Sequence, residues 1–208
     1  MDPIWTWLLV GAALVVAWPA LRDVAARLVL SRYRSPAVHE QPETISLVRV
    51  REPRWRDPHA FAASDRELAA AGFAEAGTYV VHEMPELTLA LYALPAERAY
   101  AVLYDHPRSG AWAEIVTRYE DGALACFTTL EALEVELPEG SLHVAAPGTP
   151  LGALWKRMRA ERPARPMRTC SRAEAARDFE RAYAESMARH RSRAVTGAPA
   201  PEALGRAA

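Results

Sequence analysis

Between residues 78 and 129 apolar and polar side chains alternate with a period of two, which indicates β-strands. The alternation falls into five short runs, at 78–84, 87–93, 100–104, 112–119 and 123–129. Parallel neighbours would need long crossover connections, and the segments between these runs are short. The sequence therefore predicts an antiparallel meander.

Turn-forming residues separate the runs. Pro85-Glu86 is predicted as the first turn and Asp121-Gly122 as the last. The Asp-Gly pair gives the clearest signal, because a tight hairpin turn needs a positive φ that glycine adopts without strain. One face of the second run, at Leu87, Leu89 and Leu91, is wholly apolar, so we expect helices to cover it.

Further elements flank the meander. Residues 44–50 predict a first strand and residues 142–145 an additional one. Asp57 is predicted to cap a helix with Pro58 at its first position, and Gly72 to end that helix.

Two more helices are predicted towards the C-terminus. Thr149 would cap a helix that has Pro150 at its first position and runs to about Arg162. Ser171 and Glu174 form a capping box, which would open a helix running to about His190.

Together these elements predict an α+β fold. It has an N-terminal transmembrane helix, then an antiparallel meander of five to six strands packed against helices on one face, with C-terminal helices. The element order also matches a helix-grip fold, in which a sheet wraps round a long helix and holds an apolar ligand.

The anchor is predicted from residues 4–21, which contain no charged side chain. A helix of this length spans about 27 Å, enough for the hydrocarbon core of a bilayer. Trp5, Trp7 and Trp18 fall where the two membrane interfaces would lie. Residues 1–3 lack the basic group of a signal peptide, so we expect a retained anchor.

Flanking cations predict the orientation of this anchor. Asp2 is the only charged side chain before the apolar run, whereas four arginines follow it within about fifteen residues. The positive-inside rule then places a single-pass protein in a bacterial inner membrane, with its C-terminal domain in the cytoplasm. These arginines, also candidate contacts for lipid headgroups, are Arg22, Arg27, Arg32 and Arg34.

The domain organisation follows from these assignments. An anchor with its basic flank (1–34) and a linker (35–43) precede the α+β domain (44–150). Basic C-terminal helices (151–193) and a disordered tail (194–208) follow it.

Charge is distributed unevenly along the chain. Residues 43–150 carry 8 Arg and 17 acidic groups, and residues 151–208 carry 13 basic and 6 acidic groups. With 42 Ala and 24 Arg but one Lys and no Asn, the composition indicates a GC-rich bacterial genome, so no nucleic-acid partner is predicted from arginine content. Lys156, Arg157 and Arg159 are candidate contacts for anionic lipid, with a solvated helix face as the competing interpretation.

The polar run at 104–110 is the best cluster for catalysis. Asp105, His106 and Ser109 are the acid, base and nucleophile that a hydrolase would use. Adjacent strand residues point to opposite faces, however, so we interpret the run as a hairpin turn. Cys126 is predicted as a buried, inert thiol. The sequence holds no motif for a metal or a cofactor, and none is predicted.

Several short strings between residues 58 and 190 combine aromatic residues with glycine, proline and acids. They are Ala71-Gly72-Phe73, Gly77-Thr78-Tyr79, Tyr104, His106-Pro107, Trp112-x-Glu114, Thr117-x-Tyr119-Glu120-Asp121-Gly122 and Glu161-Arg162-Pro163. In these strings the chain resembles uncharacterised membrane-anchored proteins of GC-rich bacteria. The resemblance implies a bacterial anchored protein and no catalytic residues.

These observations favour a membrane-tethered, non-catalytic binding or scaffolding domain with an unknown protein partner. One alternative is a helix-grip-like module that binds a small apolar ligand, which requires an apolar cavity of roughly several hundred cubic ångströms between sheet and helix. The other alternative is a hydrolase that uses the polar run at 104–110.

Overall fold

The computed structural model describes residues 41–131 and 137–196. The predicted anchor at 4–21 and the arginines that follow it lie outside the described residues, as does most of the predicted tail. Within the described ranges no helix is both long and apolar enough to cross a bilayer.

A seven-stranded sheet forms the centre of the fold, and its strand order follows the sequence. The strands are β1 (Leu47–Arg49), β2 (Ala74–Val81), β3 (Met84–Leu94), β4 (Ala99–His106), β5 (Gly110–Arg118), β6 (Leu124–Thr128) and β7 (Leu142–Ala145). The antiparallel meander is confirmed from β1 to β6. The sheet has more strands than the five to six predicted, and β7 pairs with β6 in parallel. Residues 129–141 give the chain enough length to return to the same end of the sheet before β7 begins.

Three α-helices lie in the described part of the chain: α1 (Pro58–Ala70), α2 (Leu151–Glu161) and α3 (Ala175–Thr196). The first two cover one face of the sheet, where Leu68 of α1 and Leu154 of α2 belong to a single apolar core. Helix α3 covers the other face through Ala175, Phe179 and Tyr183.

The prediction that the helices lie on one face is therefore wrong. In β3, Ala90 and Tyr92 face the core beneath α1 and α2, whereas Leu89 and Leu91 face α3. Because both faces of β3 are apolar, both need a cover. The C-terminal helices thus pack on the same sheet as α1.

Local signals place the ends of α1 as predicted. The Asp57 carboxylate accepts a hydrogen bond from the Ala60 backbone N–H at 2.9 Å, and Pro58 is the first helical residue. Gly72 follows the last turn with φ +93°, the left-handed conformation expected of a helix-terminating glycine.

Helix α2 begins one residue later than predicted. Pro150 is its capping residue rather than its first helical residue, and no side chain adjacent in sequence caps it. The backbone N–H of Gly152 instead donates to the Glu67 carboxylate of α1 at 3.0 Å. A carboxylate from another helix thus takes the place predicted for Thr149.

The first hairpin turn lies at His82-Glu83 and not at Pro85-Glu86, which belong to β3. The pairing of β2 and β3 is irregular here, because Val80 pairs with Thr88 and Val81 with Met84. Pro85 lies within this bulge, where its missing N–H costs the sheet no regular hydrogen bond.

Candidate functional site

A cavity of about 180 Å³ lies between α3 and the sheet. Strand alternation brings side chains of β4, β5, β6 and β7 to this face, where Val102 pairs with Glu114 and Cys126 with His143. Its walls are mostly apolar and include Leu91, Val102, Val116, Leu124, Phe179 and Ala182.

Two carboxyl groups, those of Glu114 and Asp178, line this cavity, and Glu114 lies nearer its apolar walls on β5. The Oε2 atom of Glu114 accepts a hydrogen bond from the Tyr104 hydroxyl at 3.0 Å. Burial raises the pKa of Glu114, and the Tyr104 hydrogen bond opposes this rise only in part. The nearby Trp112 indole N–H is buried and has no hydrogen-bond partner among the described residues. Burial therefore makes the Glu114 carboxylate less favourable than that of a solvent-exposed glutamate.

Burial also disfavours the charged forms of three neighbouring side chains. Burial and the nearby Glu114 raise the pKa of Tyr104 well above its ordinary value, and burial does the same for the Cys126 thiol. Burial lowers the pKa of His143. The predicted burial of Cys126 is confirmed, since its side chain lies beneath α3 and its residue is 8% exposed.

Two arginines lie at the opposite end of the cavity from Glu114. Arg118 Nη2 lies 3.2 Å from Glu185 Oε2, and the Arg118 side chain is only 17% exposed. Burial lowers the pKa of Arg118 from its ordinary value. Arg189, on α3, has a buried Nε without a hydrogen-bond partner in the described structure. Both arginines also line an adjoining polar cavity of about 340 Å³.

Sequence reasoning missed most of this site. Glu114, His143 and Arg189 come from three different elements, and only the strand pairing and the α3 contact bring them together. Glu114 did carry a signal, because the period of two places it on the same face as the apolar Val116. His143 and Arg189 have no comparable local pattern.

The structure does not bring Asp105, His106 and Ser109 together as a triad. Asp105 is buried, and its Oδ2 accepts a hydrogen bond from the Arg56 backbone N–H at 2.7 Å. His106 Nδ1 accepts from the backbone N–H groups of Arg108 and Ser109 at 3.3 Å and 3.2 Å. The imidazole therefore closes the β4–β5 turn, as the hairpin interpretation expects.

A cleft of about 380 Å³ lies beside Asp105, between β4, β5 and the N-terminal ends of α1 and α2. Its three carboxylates each accept a hydrogen bond from a backbone N–H: Asp57 from Ala60, Asp105 from Arg56, and Glu67 from Gly152. These acids hold the fold together, so we place the candidate site in the α3 cavity instead.

The basic candidates that the structure describes lie on α2, on the other side of the sheet from the cavity. Lys156, Arg157 and Arg159 are exposed. Arg157 forms an ion pair with Glu161 at 2.7 Å, and Arg159 lies 3.4 Å from Glu97. The other candidates, Arg22, Arg27, Arg32, Arg34, Trp5, Trp7 and Trp18, lie outside the described residues.

Comparisons of the chain with protein-family models, with curated proteins and with solved structures returned no significant match. In the part of the chain that the structure describes, no three His, Cys, Asp or Glu side chains converge as metal ligands. The function is therefore argued from the geometry of the α3 cavity.

Proposed function

We propose that the described domain binds a small, largely apolar molecule between α3 and the sheet, without catalysing a reaction. The observation that carries this proposal is the apolar cavity of about 180 Å³ around the Tyr104–Glu114 pair. A cavity of about 150 Å³ lined by aliphatic and aromatic side chains binds benzene. The cavity is smaller than the several hundred cubic ångströms expected for a helix-grip module and than the roughly 300–1,000 Å³ of pockets for drug-sized ligands. The expected ligand is therefore a single ring or a short chain.

The attachment of α3 supports this proposal, because polar contacts hold the helix over an incompletely filled interior. Glu180 accepts a hydrogen bond from the Leu47 backbone N–H at 2.7 Å, and the Asp178 carboxylate accepts one from the Tyr100 hydroxyl at 2.6 Å. Within residues 175–192, whose side chains are described, only Ala175 and Met187 are buried. Protein interiors normally leave few voids, so a cavity kept open in this way favours a ligand.

The protonation states favour binding over chemistry. A cysteine nucleophile must be a thiolate, and burial raises the pKa of Cys126 well above its ordinary value. Burial lowers the pKa of His143, which disfavours the imidazolium that would stabilise such a thiolate.

The direct test replaces a small side chain of α3 with a larger one that occupies the cavity. Ala182 lines the cavity, whereas Ala153 is exposed on α2, so Ala182→Leu and Ala153→Leu make a matched pair. We expect benzene and toluene to raise the melting temperature of the wild-type chain and of Ala153→Leu, since a ligand that binds only the folded state stabilises it. Ala182→Leu should lose that increase. Equal increases in all three proteins, or none, would contradict the proposal.

The sequence adds a proposal about location. The uncharged run at 4–21 favours tethering to the bacterial inner membrane with the domain in the cytoplasm. A reporter enzyme that works only in the cytoplasm, fused after Ala208, should be active. Activity of a periplasm-dependent reporter instead would overturn the orientation.

A further inference from the structure

We infer that the ligand is a small monocarboxylate, with its apolar body beside Val116 and its carboxylate at Arg118 and Arg189. This inference rests on the proposed function, since it assigns a chemical class to the ligand of the same cavity. It follows from the arrangement of polar groups at the two ends of the cavity and from an arginine at one of them that forms no ion pair among the described residues.

The two ends are set by a single strand. Glu114, Val116 and Arg118 are alternate residues of β5, so they lie on the same face and all line the cavity. A rise of about 3.3 Å per residue separates Glu114 from Arg118 by about 13 Å along the strand. An apolar section thus lies between a hydrogen-bonding end and a basic end.

The basic end holds arginines and acids together. Arg118, Arg168 and Arg189 line the adjoining polar cavity with Asp121, Glu139 and Glu185, and Arg181 and Asp178 lie beside Arg118. Arg118 pairs with Glu185, and Arg181 pairs with Asp178. Arg168 lies near Arg118, and repulsion between the two positive charges lowers the pKa of Arg118. The remaining arginine is Arg189.

Arg189 is the group that points to an anion. It is half-buried, and none of the ion pairs among the described residues includes its guanidinium. Its buried Nε donates no hydrogen bond in the described structure, which is costly for a charged group removed from water. A guanidinium binds a carboxylate through two parallel hydrogen bonds, so a monocarboxylate satisfies this side chain well.

The surroundings orient such a ligand. Arg118 and Arg189 lie at the boundary with the polar cavity of about 340 Å³, whereas Glu114 lies among apolar side chains. The carboxylate therefore lies at the polar boundary, and the ring or chain lies in the apolar interior. Burial raises the pKa of Glu114, which reduces the charge repulsion between its carboxyl group and the ligand.

The experiment compares three probes with the same body: 3-phenylpropanoate, 3-phenylpropan-1-ol and 3-phenylpropylammonium. Each is titrated calorimetrically at pH 7 into the full 208-residue chain, with protein-free titrations subtracted. We expect 3-phenylpropanoate to bind at least tenfold more tightly than the alcohol. Arg189→Gln should remove this preference, because it lowers the affinity for the carboxylate far more than the affinity for the alcohol. Arg177→Gln, an exposed change on the same helix, should preserve the preference.

The outcomes separate this inference from the proposed function. Equal binding of the three probes would overturn the inference and leave the cavity as a binding site. Tightest binding of the ammonium probe would also overturn it, because Glu114 would then attract a cation. Binding of none of the probes would overturn both. Arg189→Lys keeps the charge, so it should retain part of the preference for the carboxylate. If Arg177→Gln weakens carboxylate binding as much as Arg189→Gln does, the inference is overturned.

Discussion

Glu67 of α1 caps the neighbouring helix α2, because its Oε2 accepts a hydrogen bond from the Gly152 backbone N–H at 3.0 Å. The first N–H groups of a helix have no partner within the helix, and a negative charge near them is favourable. Since α1 and α2 lie on the same face of the sheet, this one carboxylate fixes the position of one helix relative to the other.

Glu67→Ala should lower the free energy of unfolding by about 1 kcal/mol, because it removes both the hydrogen bond and the charge at the helix terminus. Glu67→Gln keeps an acceptor and should lose less. Urea denaturation measures both, with the exposed Arg66→Ala on the same helix as the control. Equal stability of the wild type and Glu67→Ala would show that this contact contributes nothing.

Glu97 accepts contacts from two arginines whose exposure differs. Arg162 is 13% exposed and donates to both the backbone oxygen and the side-chain carboxylate of Glu97, at 2.9 Å and 2.7 Å. Arg159 is 56% exposed and lies 3.4 Å from the same carboxylate. Arg162→Met should cost about 1.5–3 kcal/mol because it removes two charged hydrogen bonds to Glu97, whereas Arg159→Met should cost about 0.5 kcal/mol or less. Urea denaturation measures both losses of unfolding free energy, and similar values for the two variants would show that burial does not determine the strength of these contacts.

Backbone conformation should give substitutions at two glycines opposite effects on stability, although both positions have space for a Cβ atom. Gly122 has φ +90°, whereas Gly152 is helical, and neither would place a Cβ within 4 Å of another atom. Gly122→Val should therefore destabilise the fold by about 1 kcal/mol or more, through backbone strain alone. Gly152→Ala should stabilise it by up to about 1 kcal/mol. Thermal unfolding gives both signs, and a neutral Gly122→Val would contradict the strained turn.

Glu114 should make the stability of the protein depend on pH. Its pKa is raised in the folded state, so the unfolded chain releases this proton first as the pH rises. The contribution of Glu114 to the free energy of unfolding therefore becomes more unfavourable as the pH rises from the ordinary glutamate pKa to the raised pKa. Glu114→Gln removes the titration, so its stability relative to the wild type should increase as the pH rises through the ordinary glutamate pKa and become constant above the raised pKa. The exposed Glu120→Gln serves as the control, and a constant difference for Glu114→Gln would contradict the raised pKa.

The elements that depend on local signals are predictable from the sequence. Asp57 and Gly72 bound α1, and Asp121-Gly122 forms the turn between β5 and β6, because each of these signals acts within a few residues. The parallel direction of β7 depends on its pairing with β6, a contact between separate segments that no local pattern encodes. The capping of α2 by Glu67 depends on a contact between distant segments, so the prediction of Thr149 as the cap is wrong.

The candidate site was less predictable than the fold. The polar run at 104–110 resembles a catalytic cluster because its residues are adjacent in sequence, yet Asp105 and His106 serve different backbone contacts. The α3 cavity is assembled from strand register and from a helix far along the chain. Glu114, an acid on the same strand face as the apolar Val116, is the residue of this cavity that the strand pattern could have singled out before the structure was known.

The central claim, that the cavity beneath α3 takes a small apolar molecule, is tested most directly by isotope-edited NMR of the full chain with toluene. Intermolecular NOEs report which methyl groups lie beside the bound ring. The account predicts NOEs to the methyl groups of Val102, Val116 and Leu124, which line the cavity, and their loss in Ala182→Leu. NOEs only to Leu103 and Leu151 in the cleft beside Asp105, or no NOEs at all, would contradict it.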